Sequence, residues 1–208
     1  MSEARSAYRR RIFGMCLVIF AFVGVRPADS QEISSAYTKL DFEHSCGSVR
    51  KTEDGMSVAK TCPGYGTYVI HFAEGDLRQS VTFSHSGIGP RRDFWQSFSE
   101  WNSVSDTVEW RLAGDKPFAT ILRWFIDNVD PNTGSADESH RGQVLVISTV
   151  AETEPEQGCV VGYVDARANR DANEIARRVA DEIARSFDCE RDEPRYHGER
   201  GSFSGSPS

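Results

Sequence analysis

The sequence predicts an α+β domain: a mainly antiparallel sheet of about six to eight strands, a C-terminal amphipathic helix packed across it, and one short mid-chain helix. Three observations carry this. Period-2 alternation recurs in paired segments joined by turn-forming residues. The connections are short enough for antiparallel pairing, and nothing requires a parallel crossover. Near 171–188 the apolar period changes to that of a helix.

Taken in order, residues 31–36 read as a polar lead-in. The segment 46–62 reads as a hairpin around Glu53-Asp54-Gly55, with glycine in the left-handed position of a three-residue loop. Thr67–Glu74 and Leu77–Ser84 form a second hairpin around Gly75-Asp76, pairing Tyr68 with Phe83 and Ile70 with Val81. Its other face carries Val69, His71, Arg78, Ser80 and Thr82 and is wetter. A short helix opened near Pro90 presents Phe94, Phe98 and Trp101 at i, i+4 and i+7. Thr107–Leu112 and Phe118–Ile126 make a third hairpin, with Val108, Trp110 and Leu112 sharing a face with Phe118, Thr120, Leu122 and Trp124. Gln143–Val150 and Cys159–Ala166 flank an acidic loop. Asp171 and Glu174 then start a helix as a capping-box-like pair, and Ile175, Val179, Ile183 and Phe187 share its apolar face.

The first thirty residues read as a signal peptide. Arg5, Arg9, Arg10 and Arg11 precede the apolar run Ile12–Val25, and Ala28-Asp29-Ser30 supplies small residues at a cleavage site. The run is shorter than the ~20 residues that span a bilayer. Arg10-Arg11-Ile12-Phe13 also resembles a twin-arginine motif, so the export route stays open between that and the general pathway. The expected organisation is therefore a signal at 1–30, one disulfide-linked domain at 31–189, and a disordered Gly/Ser/Pro tail at 190–208.

Cysteine usage agrees with a periplasmic or secreted protein. Removing Cys16 with the signal leaves Cys46, Cys62, Cys159 and Cys189, an even set. The hairpin ladder sets Cys46 opposite Cys62. A strand from Cys159 to about residue 166 and a helix over 171–188 have nearly equal lengths, so a helix folded back over that strand returns Cys189 to Cys159. The expected bridges are Cys46–Cys62 and Cys159–Cys189; no C-x-x-C pair argues for zinc. Residues 1–30 hold five of the 24 basic and two of the 31 acidic residues, so the remainder carries 19 against 29, a net charge of −10. That excludes general affinity for nucleic acid or anionic lipid and permits a cationic partner.

Chemistry-bearing motifs are sparse, and no catalytic residue, metal site or cofactor is assigned. The histidines lack metal spacing. His71 and Ser80 are placed to face each other across a hairpin, but no orienting acid accompanies them. The Asp130–Glu138 loop offers alternate oxygens for calcium and then fails at Gly134 and Ser135. The candidate binding residues are Tyr65 and Gly66 in the rigid loop Cys62-Pro63-Gly64-Tyr65-Gly66, Trp95 off its helical stripe, and Arg78.

Ala36-Tyr37-Thr38-Lys39-Leu40-Asp41, Cys62–Gly66, Glu74-Gly75-Asp76-Leu77-Arg78 and Phe118–Trp124 together resemble short signatures of uncharacterised small exported proteins of alpha-proteobacteria, rhizobial type. The resemblance implies a bacterial periplasm and supplies no activity. The expected function is a non-enzymatic binding or interaction module, partnered by an envelope protein or another cationic partner. The alternatives are an inhibitor of a cationic hydrolase such as lysozyme, a small-ligand carrier, and a hydrolase using His71.

Overall fold

The computed structural model describes residues 31–51, 56–89, 95–153 and 158–208. The expected signal at 1–30, the tip of the first hairpin and the start of the mid-chain helix lie outside these residues.

Among the described residues, ten strands form two sheets rather than one. The six-stranded sheet has the order β1 (Ile33–Lys39), β6 (Trp101–Ala113), β7 (Lys116–Asp127), β8 (Gly142–Thr149), β9 (Val160–Asp165) and β10 (Arg195–Tyr196). The second sheet is the meander β2 (Gly47–Lys51), β3 (Ser57–Pro63), β4 (Tyr68–Gly75) and β5 (Arg78–His85). All neighbours are antiparallel except β9 and β10, which run parallel.

The alternation along β6, β7 and β8 sorts side chains to two faces. Val108, Trp110, Leu122, Trp124, Val144 and Val146 meet Tyr68, Ile70, Phe72, Val81 and Phe83 of the smaller sheet in one core. Trp110 is fully buried there, its ring 5.6 Å from Phe83 and 6.3 Å from Tyr68, with its indole N–H donated to Thr38 Oγ1 at 2.8 Å. On the opposite face, Ala119, Ile121, Leu145 and Ile147 meet helix α1 (Ala172–Ile183). Ile175 and Val179 are buried in that second core, worth roughly 1.5–3 kcal/mol each. The layers are thus helix, six-stranded sheet, four-stranded sheet.

Cys46 is bonded to Cys62, continuing the β2–β3 register in which Gly47 faces Thr61, and Cys159 is bonded to Cys189. Closing 16 and 30 residues, each bridge contributes on the order of 3 kcal/mol in the loop-entropy account.

Several expectations change. The lead-in becomes edge strand β1, because its backbone finds a full ladder on β6, with Ile33 facing Ala113 and Lys39 facing Thr107. The second hairpin turns at Asp76-Leu77, so Tyr68 faces His85 and Ile70 faces Phe83. That two-residue slip keeps every side chain on its expected face, which is why alternation alone did not detect it. A bulge between Arg111 and Leu112 sends Phe118 to the helix side instead of sharing the face of Trp110. The mid-chain helix is absent among the described residues. Phe98 makes an isolated bridge to Pro207, and Trp101 opens β6 with its ring 44% exposed. Asp171 precedes α1 without a side-chain capping bond; its carbonyl instead accepts the amides of Glu174 and Ile175 at 2.9 and 3.0 Å.

The largest correction concerns residues 190–208. This segment is ordered against the domain rather than trailing from it. Tyr196 adds a strand to β9, Ser204 and Gly205 are buried, and Ser97 and Ser208 exchange backbone bonds at 3.1 and 3.2 Å. Composition suggested too little to bury, but Tyr196 and Phe203 supply the apolar anchors.

Candidate binding groove

The four residues singled out in the sequence do not assemble. Tyr65 and Gly66 occupy the β3–β4 turn, where Tyr65 is half-buried against the main core and Gly66 takes a φ of +56°. Gly64 beside them is obligatory on space, since a Cβ there would lie 2.7 Å from the Trp110 ring and 2.8 Å from the Tyr68 carbonyl. Arg78 sits at the other end of β4, where the β4–β5 turn leads into β5. Its Nε donates to the Ser99 carbonyl at 2.8 Å and its Nη1 to Asp76, so its guanidinium braces the turn. Trp95 is 43% exposed and precedes Gln96, whose amide donates to Ser80 Oγ and whose side-chain oxygen accepts the Val160 N–H.

His71 is buried and opposite Thr82, not Ser80. Its Nε2 lies 2.9 Å from Ser84 Oγ and 3.1 Å from the Ile88 carbonyl. A carbonyl can only accept, so Nε2 bonds it in the tautomer that carries the proton there. Ser84 in turn has the carbonyls of His85 and Ile88 at 3.2 Å as acceptors. In that tautomer Nε2 cannot take the serine proton, and among the described residues no carboxylate bonds Nδ1, whose neighbour is Thr61 Oγ1 at 3.5 Å. The pair fastens the 85–88 turn over the sheet.

Asp130, Asp137 and His140 place ligand-type atoms within 4.8 Å of one another. One carboxylate oxygen of each aspartate is already bonded within its own turn. Asp130 Oδ1 accepts from Asn132, and Asp137 Oδ1 accepts the amides of Ser139 and His140 and the Ser139 hydroxyl. These bonds hold Asp137 down to a pKa of about 2. The arrangement is a pair of side-chain-capped turns.

A groove of about 540 Å³ lies where the C-terminal segment crosses the domain. Its described lining includes Gln96, Tyr163, Glu193, Arg195, Tyr196 and Arg200. Its geometry follows from β10. Arg195 pairs with Gly162 and Tyr196 with Tyr163, and the His197 N–H donates to the Tyr163 carbonyl at 2.8 Å. Gly162 has to lack a side chain, because a Cβ would lie 2.9 Å from the His197 ring. Parallel register brings the rings of Tyr163 and Tyr196 to 5.1 Å, inclined by 31°. The Arg200 guanidinium lies 4.4 Å from the centre of the Tyr196 ring and donates to Ser204 Oγ and the Gly205 carbonyl. Asp165 pins the return by accepting the Gly201 N–H at 2.9 Å.

Burial pushes Tyr196 up to about 12 and raises Tyr163 as well, with Tyr196 adding to the latter effect. Both phenols therefore stay protonated at neutral pH. Tyr196 donates its proton to the Ser204 carbonyl. Tyr163 is only 5% exposed, and among the described residues its hydroxyl has no hydrogen-bond partner.

No protein-family model, curated protein or solved structure matches this chain. The groove residues Tyr163, Arg195, Tyr196 and Arg200 were missed in the sequence. Their one local signal was the pair of aromatics, Tyr196 and Phe203, inside a tail otherwise made of polar and small residues.

Proposed function

We propose that this protein is an exported, non-enzymatic binding protein whose site is the groove between β9, β10 and the last residues of the chain. The observation that carries the reading is the groove itself, large enough for a small ligand and lined by the Tyr163 side chain, whose hydroxyl has no hydrogen-bond partner among the described residues. The two disulfides are compatible with an oxidising compartment, and no helix of the described residues is long and apolar enough to cross a membrane. The hydrolase alternative loses support because no carboxylate among the described residues bonds the His71 ring.

The test is a thermal-shift screen of the oxidised protein against small-molecule classes, with Tyr196→Ala alongside. The reading expects stabilisation by at least one class in the parent and none in the variant. Stabilisation that persists in Tyr196→Ala, or none by any class, contradicts it.

A second reading, contact with an envelope protein, is favoured by Leu77 and Trp101. Both are exposed, and their chain segments are joined by the Asn102 N–H to Leu77 carbonyl bond at 3.0 Å. A partner captured by the parent and lost with Leu77→Asp would support it; a partner equally retained by that variant would end it.

A further inference from the structure

We infer that the free edge of β1 is the contact between two copies of this chain, paired antiparallel about a two-fold axis at Ala36, so that two six-stranded sheets join into one. This contact lies at the opposite edge of the sheet from the groove and stands apart from the binding reading above. The ladder decides which backbone groups are available. The Leu40 N–H donates to the Asp106 carbonyl and the Gly114 N–H to the Glu32 carbonyl, in the register that sets Ile33 opposite Ala113 and Lys39 opposite Thr107. Bonding alternates along an antiparallel strand, so Ser34, Ala36 and Thr38 bond to β6, while the amides and carbonyls of Ile33, Ser35, Tyr37 and Lys39 point away from it. Among the described residues nothing bonds these outward groups. Each other edge is guarded. Ala151 bonds Phe83 and His85 of β5, and the Ser97 hydroxyl donates to the Gln79 carbonyl. The β2 edge has a register shift between Ser48 and Arg50 and carries the basic residues Arg50 and Lys51. The β10 edge is two residues long. Bulges, lysines and shortness keep an edge from pairing. In β1 the pairing with β6 runs over seven residues without a bulge, and the strand is uncharged except for Lys39 at its end.

What this strand offers fits a second copy of itself. The outward groups fall on odd positions, and a two-fold at Ala36 opposes odd to odd: Ile33 meets the partner's Lys39 and Ser35 meets the partner's Tyr37. The positions bonded to β6 then oppose Ser34 to Thr38, a favourable hydroxyl pair, and Ala36 to itself. No pair opposes like charges. The chain carries a net charge of −7, yet β1 has no carboxylate, and the neighbouring Asp106 and Glu109 of β6 are answered by Lys39 and Arg177. Tyr37 is 57% exposed and stands on the α1 face, where its hydroxyl accepts from Arg177. In this register the two Tyr37 side chains are diagonal neighbours, within reach of each other across the axis.

The experiment is sedimentation velocity of the oxidised protein from about 10 µM to about 1 mM, with amide hydrogen exchange at both ends of that range. A dimer is expected to accumulate with concentration. The amides of Ile33, Ser35, Tyr37 and Lys39 should gain protection with it, while those of Ser34, Ala36 and Thr38 are protected throughout. Tyr37→Lys brings two ammonium groups together at the axis and should weaken the dimer by roughly tenfold or more, with the protection of Ser34, Ala36 and Thr38 showing that the variant is folded. Ala36→Cys tests the register separately. Its two copies would lie about 4.5 Å apart between Cα atoms and should crosslink on oxidation, whereas Ser34→Cys, offset by roughly 13 Å along the strands, should not. A monomer across the whole range overturns the inference. So does a dimer whose odd-numbered amides stay unprotected, a dimer that Tyr37→Lys leaves unchanged, or equal crosslinking of the two cysteine variants. Protection of the same amides only when another protein is added would assign the edge to a foreign strand and overturn the second copy as its occupant. None of these outcomes touches the thermal-shift test of the groove.

Discussion

The Arg111 guanidinium on β6 grips the Asp181 carboxylate of α1 from two sides, Nε to Oδ1 at 2.8 Å and Nη2 to Oδ2 at 2.7 Å. Arg111 is 7% exposed. Beside it, Arg177 reaches from the helix to Glu109 at 2.7 Å, and Ser35 of β1 donates to the same Glu109 carboxylate at 2.6 Å. The polar face of α1 is thereby joined to the edge of the sheet, where the apolar stripe of the helix does not reach.

Removing Asp181 leaves a buried guanidinium with only Ser35 and the more distant Glu109 to answer it. Asp181→Ala is expected to cost about 1–3 kcal/mol, less than a fully buried pair because Asp181 is partly solvated. Urea denaturation should show a lower midpoint with an unchanged slope. An unchanged midpoint would mean the pair contributes nothing net.

The hairpin tip stores conformational strain. Leu77 has a φ of +58° and is 59% exposed, after Asp76 at +51°. Asp-Gly suits this turn type, and a bulky residue in the left-handed region costs free energy. Leu77→Gly is expected to stabilise the fold by about 0.5–1 kcal/mol despite removing a large side chain. A lower melting temperature for the variant would refute this.

Thr120 is fully buried on β7, and its Oγ1 has no hydrogen-bond partner among the described residues. Thr120→Val keeps the shape and removes the unpaired hydroxyl, so it is expected to be neutral or to stabilise by about 1 kcal/mol. A loss of more than that, measured by denaturation, would show that the hydroxyl is satisfied in solution.

Burial holds the His71 imidazole below its ordinary value near 6.5, opposed by its bond to the Ile88 carbonyl. The unfolded chain then takes up the proton more readily than the folded one. This stabilising contribution is complete above the unfolded-state value near 6.5 and is lost as pH falls through the lower folded-state value. The urea midpoint should drop between pH 7.5 and pH 5, less steeply for His71→Gln than for the parent. Some slope should survive in the variant, because burial and the neighbouring Arg195 lower His197 too. Parallel pH curves for parent and variant would exclude His71 as a source.

Much of the strand set was legible in the sequence because it follows from period 2. Val108, Trp110, Leu122 and Trp124 declare a buried face by spacing alone, and the register near Cys46 and Cys62 follows from counting. Spacing carries no information on where a turn slips by two residues, so Asp76-Leu77 was misplaced. It does not divide strands between two sheets either. The i, i+4, i+7 pattern of Phe94, Phe98 and Trp101 mimicked a helix, although Phe98 is anchored by a bridge to Pro207, far away in the chain. The groove was illegible for the same reason. Tyr163 and Tyr196 are neighbours only because β10 returns to pair with β9 across thirty-two intervening positions.

The account stands on the segment after Cys189 being a fixed wall of the groove. Amide hydrogen exchange at His197, whose N–H is donated to the Tyr163 carbonyl, reads this directly. Protection well above the random-coil rate is the expected result. Exchange of His197 at the random-coil rate would mean there is no wall, no pairing of Tyr163 with Tyr196 and no groove.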